Sequence, residues 1–437
     1  MKRYWMLALL LLMGAVFLAA CKQATPTPTE APKPTEAAPA KTEEPTQAPE
    51  KTEEETAETP EATEAPAKEE FTFGLLLVGP YNDRGWSQAH YEAGKMVEEN
   101  VGYKMVYLDN VNPAARPGTT ANQLAAELVA QGAKAIIFNS DDMKDAALLF
   151  AQENPDIYVI HISGDHVWKE GKNYVEVPNL ANLMGRMEYM KMVAGCAAAL
   201  TTQTGQIGYL GPLINDETRR LAASSYLGAK YCWENYLGKD PADLKFKVVW
   251  IGFWFHIPGQ TLDPTQVADE FFTTGYDVVI SGIDTTEALV EAKKFRDQGK
   301  EVWAIPYDYI QACDEAPEVC LGVPYFNWYP GYKQLLEAAA TGQWESVFLW
   351  LGPDWKDINN LETSSVGFVK GQGLSEDAAK MVDKFIEELA GGLNLWVGPL
   401  NLQDGTPYLQ EGEVATDVQI WYLPQLLEGM EGQSVSE

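Results

Sequence analysis

From Phe71 onward short apolar runs alternate with amphipathic stretches, and that alternation restricts the fold more than any other feature of the chain. Phe71–Val78 is a near-continuous apolar run closed by Gly79-Pro80, the pattern of a strand buried on both faces of a parallel sheet. Helical spacing over Trp86–Glu99 is followed by a strand at Lys104–Leu108, a helix at Thr119–Gln131 and a strand at Ala133–Phe138. A helix at Asp142–Glu153 and a strand at Ile157–Ile162 complete a first α/β unit. A long helix is predicted over Leu180–Thr201, after which the pattern restarts. Strands at Gln206–Leu210, Lys245–Ile251, Asp277–Ser281 and Val302–Pro306 are separated by helices at Glu217–Tyr236, Pro264–Thr274 and Thr286–Gln298. Alternation of this kind implies parallel sheets covered by helices, here an α/β chain of two Rossmann-like lobes joined by a hinge. Val319–Phe326 and Gly331–Thr341 read as one more strand and helix returned to the first lobe. The expected division is residues 71–190 and 320–345 in the N-terminal lobe, with 191–319 and 346–430 in the C-terminal lobe.

In open parallel sheets, ligands sit beyond the carboxyl ends of the strands. Two such lobes facing each other bring the loops Gly79–Trp86, Asp109–Val111, Asn139–Asp141, His161–Asp165, Gly211–Asp216, Gly252–His256, Gly282–Thr285 and Tyr307–Tyr309 into one cleft. Trp86, Trp254, Phe255, Tyr307 and, from the returning segment, Trp328 offer flat walls for a ring. Asp83, Asp284 and Asp308 offer acceptors for hydroxyls or amines. Each has a plainer reading, core packing for the aromatics and helix N-capping for Asp83 and Asp284. Asp308 resists the capping explanation because no clear helix follows it.

No G-x-G-x-x-G or Walker loop follows any strand, and neither G-x-S-x-G nor H-E-x-x-H occurs. His161 and His166 share a loop with Asp165, but their spacing matches no recognised metal motif, and a satisfied strand-end histidine is the simpler reading. Cys313 with Cys320, and Cys196 with Cys232, are either disulfides or free buried thiols. The net charge is −31, and residues 71–437 alone hold 50 acidic against 25 basic side chains. A body so acidic argues against nucleic acid and anionic lipid surfaces as partners.

The N-terminus sets the compartment. Lys2 and Arg3 precede an apolar stretch ending in Leu18-Ala19-Ala20-Cys21, so residues 1–20 read as a signal peptide. Small residues before a cysteine resemble the bacterial lipobox, with Cys21 as the lipidated first residue of the mature chain; the alternatives are an unlipidated secretory peptide and a single membrane anchor. Residues 22–70 are almost wholly Pro, Thr, Glu, Ala and Lys and bury too little apolar surface to fold. As an extended spacer this segment reaches at most about 150 Å.

Motifs along residues 71–425 resemble the basic membrane protein family of solute-binding lipoproteins, related to the purine nucleoside receptor A lipoproteins. Gly79-Pro-Tyr-Asn-Asp83-Arg-Gly-Trp86 looks like that family's first loop, an acid followed by an aromatic that stacks on a base. His161-Ile-Ser-Gly164, Thr204–Gly211, Val249–Phe255, Ile283-Asp284-Thr285 and Asn327-Trp328-Tyr329-Pro330 match further family segments in order, and Trp396–Gly405 matches the closing one. Two departures stand out: His256–Leu262 intervene before Asp263-Pro264, and Tyr329 replaces a family glycine.

The resemblance implies a type I periplasmic-binding-protein fold. It also implies an extracytoplasmic lipoprotein that binds a purine nucleoside and serves an ABC permease, with no cofactor and no catalysis. The ligand contacts it implies are Asp83, Trp86, Ser87, His161, Trp254, Phe255, Asp284, Asp308, Asn327 and Trp328, with Asp308 where the family places the acid that binds ribose hydroxyls. The residues alone leave open a sugar-binding protein, a surface receptor, and an enzyme with paired carboxylates such as a nucleoside hydrolase or glycosidase.

Overall fold

The computed structural model describes residues 71–435, so the signal peptide, Cys21 and the linker expected before residue 71 lie outside the described residues. The chain opens with β1 (Thr72–Leu76), α1 (Trp86–Asn100), β2 (Lys104–Leu108), α2 (Ala121–Ala130), β3 (Ala135–Phe138), α3 (Lys144–Glu153), β4 (Tyr158–Ile162) and β5 (Leu180–Gly185). It continues through α4 (Glu188–Thr201), β6 (Gln206–Gly211), α5 (Asp216–Asn235), β7 (Lys245–Trp250), α6 (Pro264–Thr273), β8 (Val278–Ser281), α7 (Glu287–Asp297), β9 (Trp303–Ile305) and β10 (Gly322–Phe326). The last part holds α8 (Tyr329–Thr341), β11 (Phe348–Leu351), β12 (Val366–Lys370), α9 (Glu376–Ala390) and α10 (Asp417–Trp421).

Two parallel sheets organise these elements. The first has the order β11-β5-β4-β3-β1-β2, and the second runs β7-β6-β8-β9 with Met430–Glu431 paired outside β7. Every side chain of β1, β3 and β8 is buried, as expected of strands covered on both faces. Helices that leave the strand ends are capped by their own loops. Asn215 accepts from the Thr218 amide at 2.9 Å while Thr218 accepts from the Asn215 amide at 3.0 Å, a reciprocal cap that fixes the start of α5.

Three expectations are corrected. Leu180–Gly185 is a strand, not the first turn of the helix predicted over Leu180–Thr201. An apolar run of this length carries no period that separates strand from buried helix; pairing to β4 and β11 on both sides decides it. β11 joins the first sheet through β5, so residues 348–351 do not belong with the second lobe. Conversely, β10 pairs antiparallel with β12 in a separate two-stranded sheet that is bridged to the second sheet, with Leu321 N donating to Ala304 O at 3.1 Å and Asp308 N to Pro324 O at 3.2 Å. The returning segment packs on the first lobe from Phe326 and Trp328, which meet Trp86 and His90, and through α8, where Tyr332 Oη lies 2.5 Å from His90 Nδ1 of α1.

α4 and α5 touch backbone to backbone. A methyl at Gly195 would lie 1.8 Å from Ser225 O, and one at Gly228 would lie 2.0 Å from Met192 O. Cys196 and Cys232 form a disulfide across the same pair, and Cys313 and Cys320 form a second one. Alanine at Gly228 improves intrinsic helix propensity by about 1 kcal/mol, but the added methyl forces the helices apart against a rigid carbonyl, an overpacking cost of about 1–3 kcal/mol or more. Gly228→Ala is therefore expected to lower the midpoint of chemical denaturation. A midpoint equal to or above that of the native chain would show that the two helices do not depend on this contact.

Candidate ligand-binding site

The loops that follow the strands of the two sheets meet in a closed cleft. Gly85 approaches the second lobe so closely that a methyl on it would lie 1.7 Å from Asp284 O. Asn215 Nδ2 donates to Asp141 Oδ2 at 3.2 Å, Arg84 pairs with Glu315 at 2.7 Å, and Tyr309 donates to Glu92 Oε1 at 2.7 Å. Inside this closure lies a small, nearly filled cavity of about 10 Å³ lined by Trp86, Ser140, Asp141 and Ser163 from one lobe and Glu217, Trp254 and Asp284 from the other. Asp141, Ser163 and Glu217 also line an outer chamber of about 200 Å³ that opens toward solvent.

The structure divides the ten residues expected at the ligand. Trp86, Trp254 and Asp284 line the inner cavity together. Trp86 is fixed there by its Nε1–H, which donates to Asn139 O at 2.7 Å, while the Trp254 indole N–H points toward the Asp142 carboxyl. Asp83 is committed to α1: its oxygens accept from the amides of Gly85, Ser87 and Gln88 at 2.9–3.0 Å, the capping role that was its plainer reading. Ser87 Oγ accepts from Gly79 N at 2.9 Å and so shapes the first loop from within. Phe255 packs edge-on against Phe253, with ring centroids 5.0 Å apart.

His161 is fully buried behind the cavity, with Nε2 3.0 Å from Ser140 O and Nδ1 beside Asn182, so it pins the β3 and β4 loops to each other. Burial pushes its pKa down to about 3, and it stays neutral. Asn327 donates to the carbonyls of Leu361 and Ser364 at 2.8 and 2.7 Å, tying the crossing strands of the hinge. Trp328 stacks on His90 and Phe326 and supports Trp86 edge-on at 5.1 Å. Asp308 is fully buried and lines neither chamber, with the Tyr307 hydroxyl and the Lys191 ammonium as its polar neighbours.

Four polar residues around the cleft escaped the sequence reading. Ser140 and Ser163 lie in loops that were nominated, but nothing in their side chains singled them out. Glu217 sits two residues into α5, just past the loop ending at Asp216. Lys191 was signalled by a lone cation in the otherwise apolar run Met190-Lys-Met-Val-Ala-Gly195. It is fully buried, donates to Ser281 O at 2.7 Å and lies 3.3 Å from the Tyr307 ring centre.

The electrostatics of the cleft are those of crowded acids. Burial raises the pKa of Glu217 to about 7, against the pull of Arg220, and that of Asp142 to about 6 with Asp141 adding to the rise. Asp83 rises to about 6 through burial, opposed by the amides it caps. Asp284 and Asp308 are pushed well above the carboxylate range, by burial first; Asp308 adds to the rise at Asp284, while Lys191 draws Asp308 back. Burial lowers Lys191 to about 7, with Asp308 opposing. Such a cleft favours ligands that donate hydrogen bonds or carry positive charge, and it disfavours a phosphate.

A family model described as ABC transporter substrate-binding protein, PnrA-like, matches residues 71–354. The chain is 27% identical over 352 residues to a purine-binding protein of Brucella abortus, covering 80% of this chain and 89% of that one. Among solved structures it is similar to an ABC transporter solute-binding protein of Aeropyrum pernix K1, with a TM-score of 0.59 at 12% identity over 76% of this chain and 93% of that one. A solute-binding protein of Conexibacter woesei matches with a TM-score of 0.53 at 15% identity, over 74% and 98% of the two chains. These two likenesses establish the fold: a type I periplasmic-binding-protein architecture of two α/β lobes.

The raised pKa of Glu217 has a stability consequence. Between its ordinary value of 4.5 and about 7 the folded chain holds a proton that the unfolded chain has released. Stability from this group is therefore lost as pH rises through that window, by at most about 3 kcal/mol. Denaturation midpoints measured from pH 4.5 to 7.5 should show Glu217→Gln gaining on the native chain as pH rises. Parallel curves for the two proteins would mean that Glu217 is not held protonated.

Proposed function

Because the chain belongs to the Bmp family of PnrA-like ABC transporter substrate-binding proteins, we propose that its solute is a purine, as free base or nucleoside, held between the two closed lobes. ABC transporter substrate-binding proteins act outside the cytoplasmic membrane and deliver a small molecule to a permease, and the two-lobe fold supports the hinge motion such delivery needs. The observation that carries the purine reading is that Trp86 and Trp254, from opposite lobes, line one cavity together with the Asp284 carboxyl. Indoles give flat apolar surface to a planar ring, and a carboxyl accepts from ring or amino N–H groups. The Brucella relative named as a purine-binding protein supports the same class.

Isothermal titration with adenine, hypoxanthine, adenosine, inosine and glucose tests this. A purine should bind at micromolar concentration or tighter, and Trp86→Ala and Trp254→Ala should each weaken it by about 1–3 kcal/mol, the usual worth of one base–aromatic stack. Glucose binding more tightly than every purine would contradict the reading. Anchorage through a lipid on Cys21 rests on the sequence alone. Cys21→Ser should move the expressed protein from the membrane to the soluble fraction, and retention on the membrane would refute the lipid.

A further inference from the structure

The segment that follows α10 is strung along the second lobe by its backbone. Met430–Glu431 pairs with Phe246 and Lys247 of β7, Leu423 O accepts from Arg219 Nε at 2.8 Å, and Gln433 O accepts from Trp250 Nε1 at 2.7 Å. Just before these anchors, Trp421 and Tyr422 are buried against the first lobe. The Trp168 indole is sandwiched between Phe348 of β11, 4.8 Å away at 12°, and Tyr422, 5.8 Å away at 11°. Trp421 meets the same cluster edge-on, 5.2 Å from Phe348 and 4.9 Å from Trp350. The Tyr422 hydroxyl accepts from the Lys172 amide at 2.8 Å and donates to Asp165 Oδ2, in a turn where a methyl on Gly171 would lie 2.8 Å from the same hydroxyl. At the head of α10, Asp417 accepts from Arg186 Nη1 and Nη2 at 2.9 and 2.5 Å, and Arg186 is held to the first sheet by its own amide, which donates to Leu351 O.

One short stretch of chain therefore ties the two lobes together beside the cleft, and Trp421 is itself part of the wall of the outer chamber. The two attachments differ in kind. On the second lobe they run through backbone groups and strand pairing, which travel with the lobe in a rigid-body motion; on the first lobe they are side chains seated in a pocket of the other body. Drawing Trp421 and Tyr422 off Trp168 exposes apolar ring surface to water, which favours the seated arrangement. We propose that residues 417–433 are an interlobe latch: the segment stays with the second lobe, and Trp421 and Tyr422 leave the first lobe when the cleft opens. Their seating biases the protein toward its closed form and slows the release of a bound solute. Latching of this kind requires no particular solute, and it is carried by residues outside the 71–354 that the family model matches.

Pulsed electron–electron double resonance reads the separation of the lobes. Nitroxides attached through Leu149→Cys on α3 and Val290→Cys on α7 place one label on an exposed site of each lobe. The background is Cys21→Ser, in which the other four cysteines are held in disulfides. With no solute added, the native chain should show one dominant short distance. Tyr422→Phe keeps the ring but loses both hydroxyl contacts, and it should raise the longer-distance population at least about threefold. Asp417→Asn, at an exposed position, should shift the population the same way, and it decides the matter alone if Tyr422→Phe fails to fold. A native chain that is already open, or folded variants whose distances match the native ones, overturns the latch. Bound adenosine should also leave Tyr422→Phe at least about threefold faster than it leaves the native chain, and equal rates overturn the slowing of release. If adenosine does not bind at all, the purine reading fails while the distance measurement still decides the latch.

Discussion

Gly85 stands where any side chain would collide with the carbonyl of Asp284, and that approach of the first loop to the second lobe carries the acids of both lobes into one interior. Asp83, Asp142, Glu217, Asp284 and Asp308 are all pushed upward in pKa by burial, and the cations set among them are few, chiefly Lys191 and Arg220. Buried charge is tolerated only when paired, neutralised or met by a bound group. The closed cleft therefore holds several carboxyls partly protonated, and a solute rich in hydrogen-bond donors would relieve that crowding.

Support for the cleft comes from residues that never face it. Asp83 spends its carboxyl on the amide groups at the start of α1, which holds Trp86 at the head of that helix. His161 and Asn327 fasten the β3–β4 loops and the hinge crossing through backbone carbonyls. Asp308 has a left-handed backbone at φ 72°, where a non-glycine residue is uncommon, and its amide and carbonyl bridge to Pro324 and Phe326 of β10. Its position ties the second sheet to the returning segment. With Lys191 opposing its neutralisation, its carboxyl belongs to the packing beneath the cleft rather than to either chamber.

Much of this was legible in the sequence wherever a strand was bounded by turn residues. The run Phe71–Val78 before Gly79-Pro80 located both β1 and the loop that carries Trp86, and Val249–Trp254 did the same on the other side. Leu180–Gly185 was not legible, because an apolar stretch leading directly into an apolar helix shows no change of period, and pairing with β4 and β11 is a tertiary fact. In sequence Asp308 stood out as the acid without a capping role; the fold shows instead that Asp83 caps a helix, Asp308 is sealed off and Asp284 faces the cavity. Glu217 was hidden by lying inside a helix, just beyond the loop where ligand contacts are expected.

The central claim is that the solute is gripped by one indole from each lobe. A crystal structure of residues 71–437 grown with adenosine tests it most directly. The account predicts the purine ring between Trp86 and Trp254, within hydrogen-bond distance of the Asp284 carboxyl, in lobes set slightly further apart than they are here. A ring bound elsewhere, or adenosine absent from a cleft that has closed without it, would contradict the account.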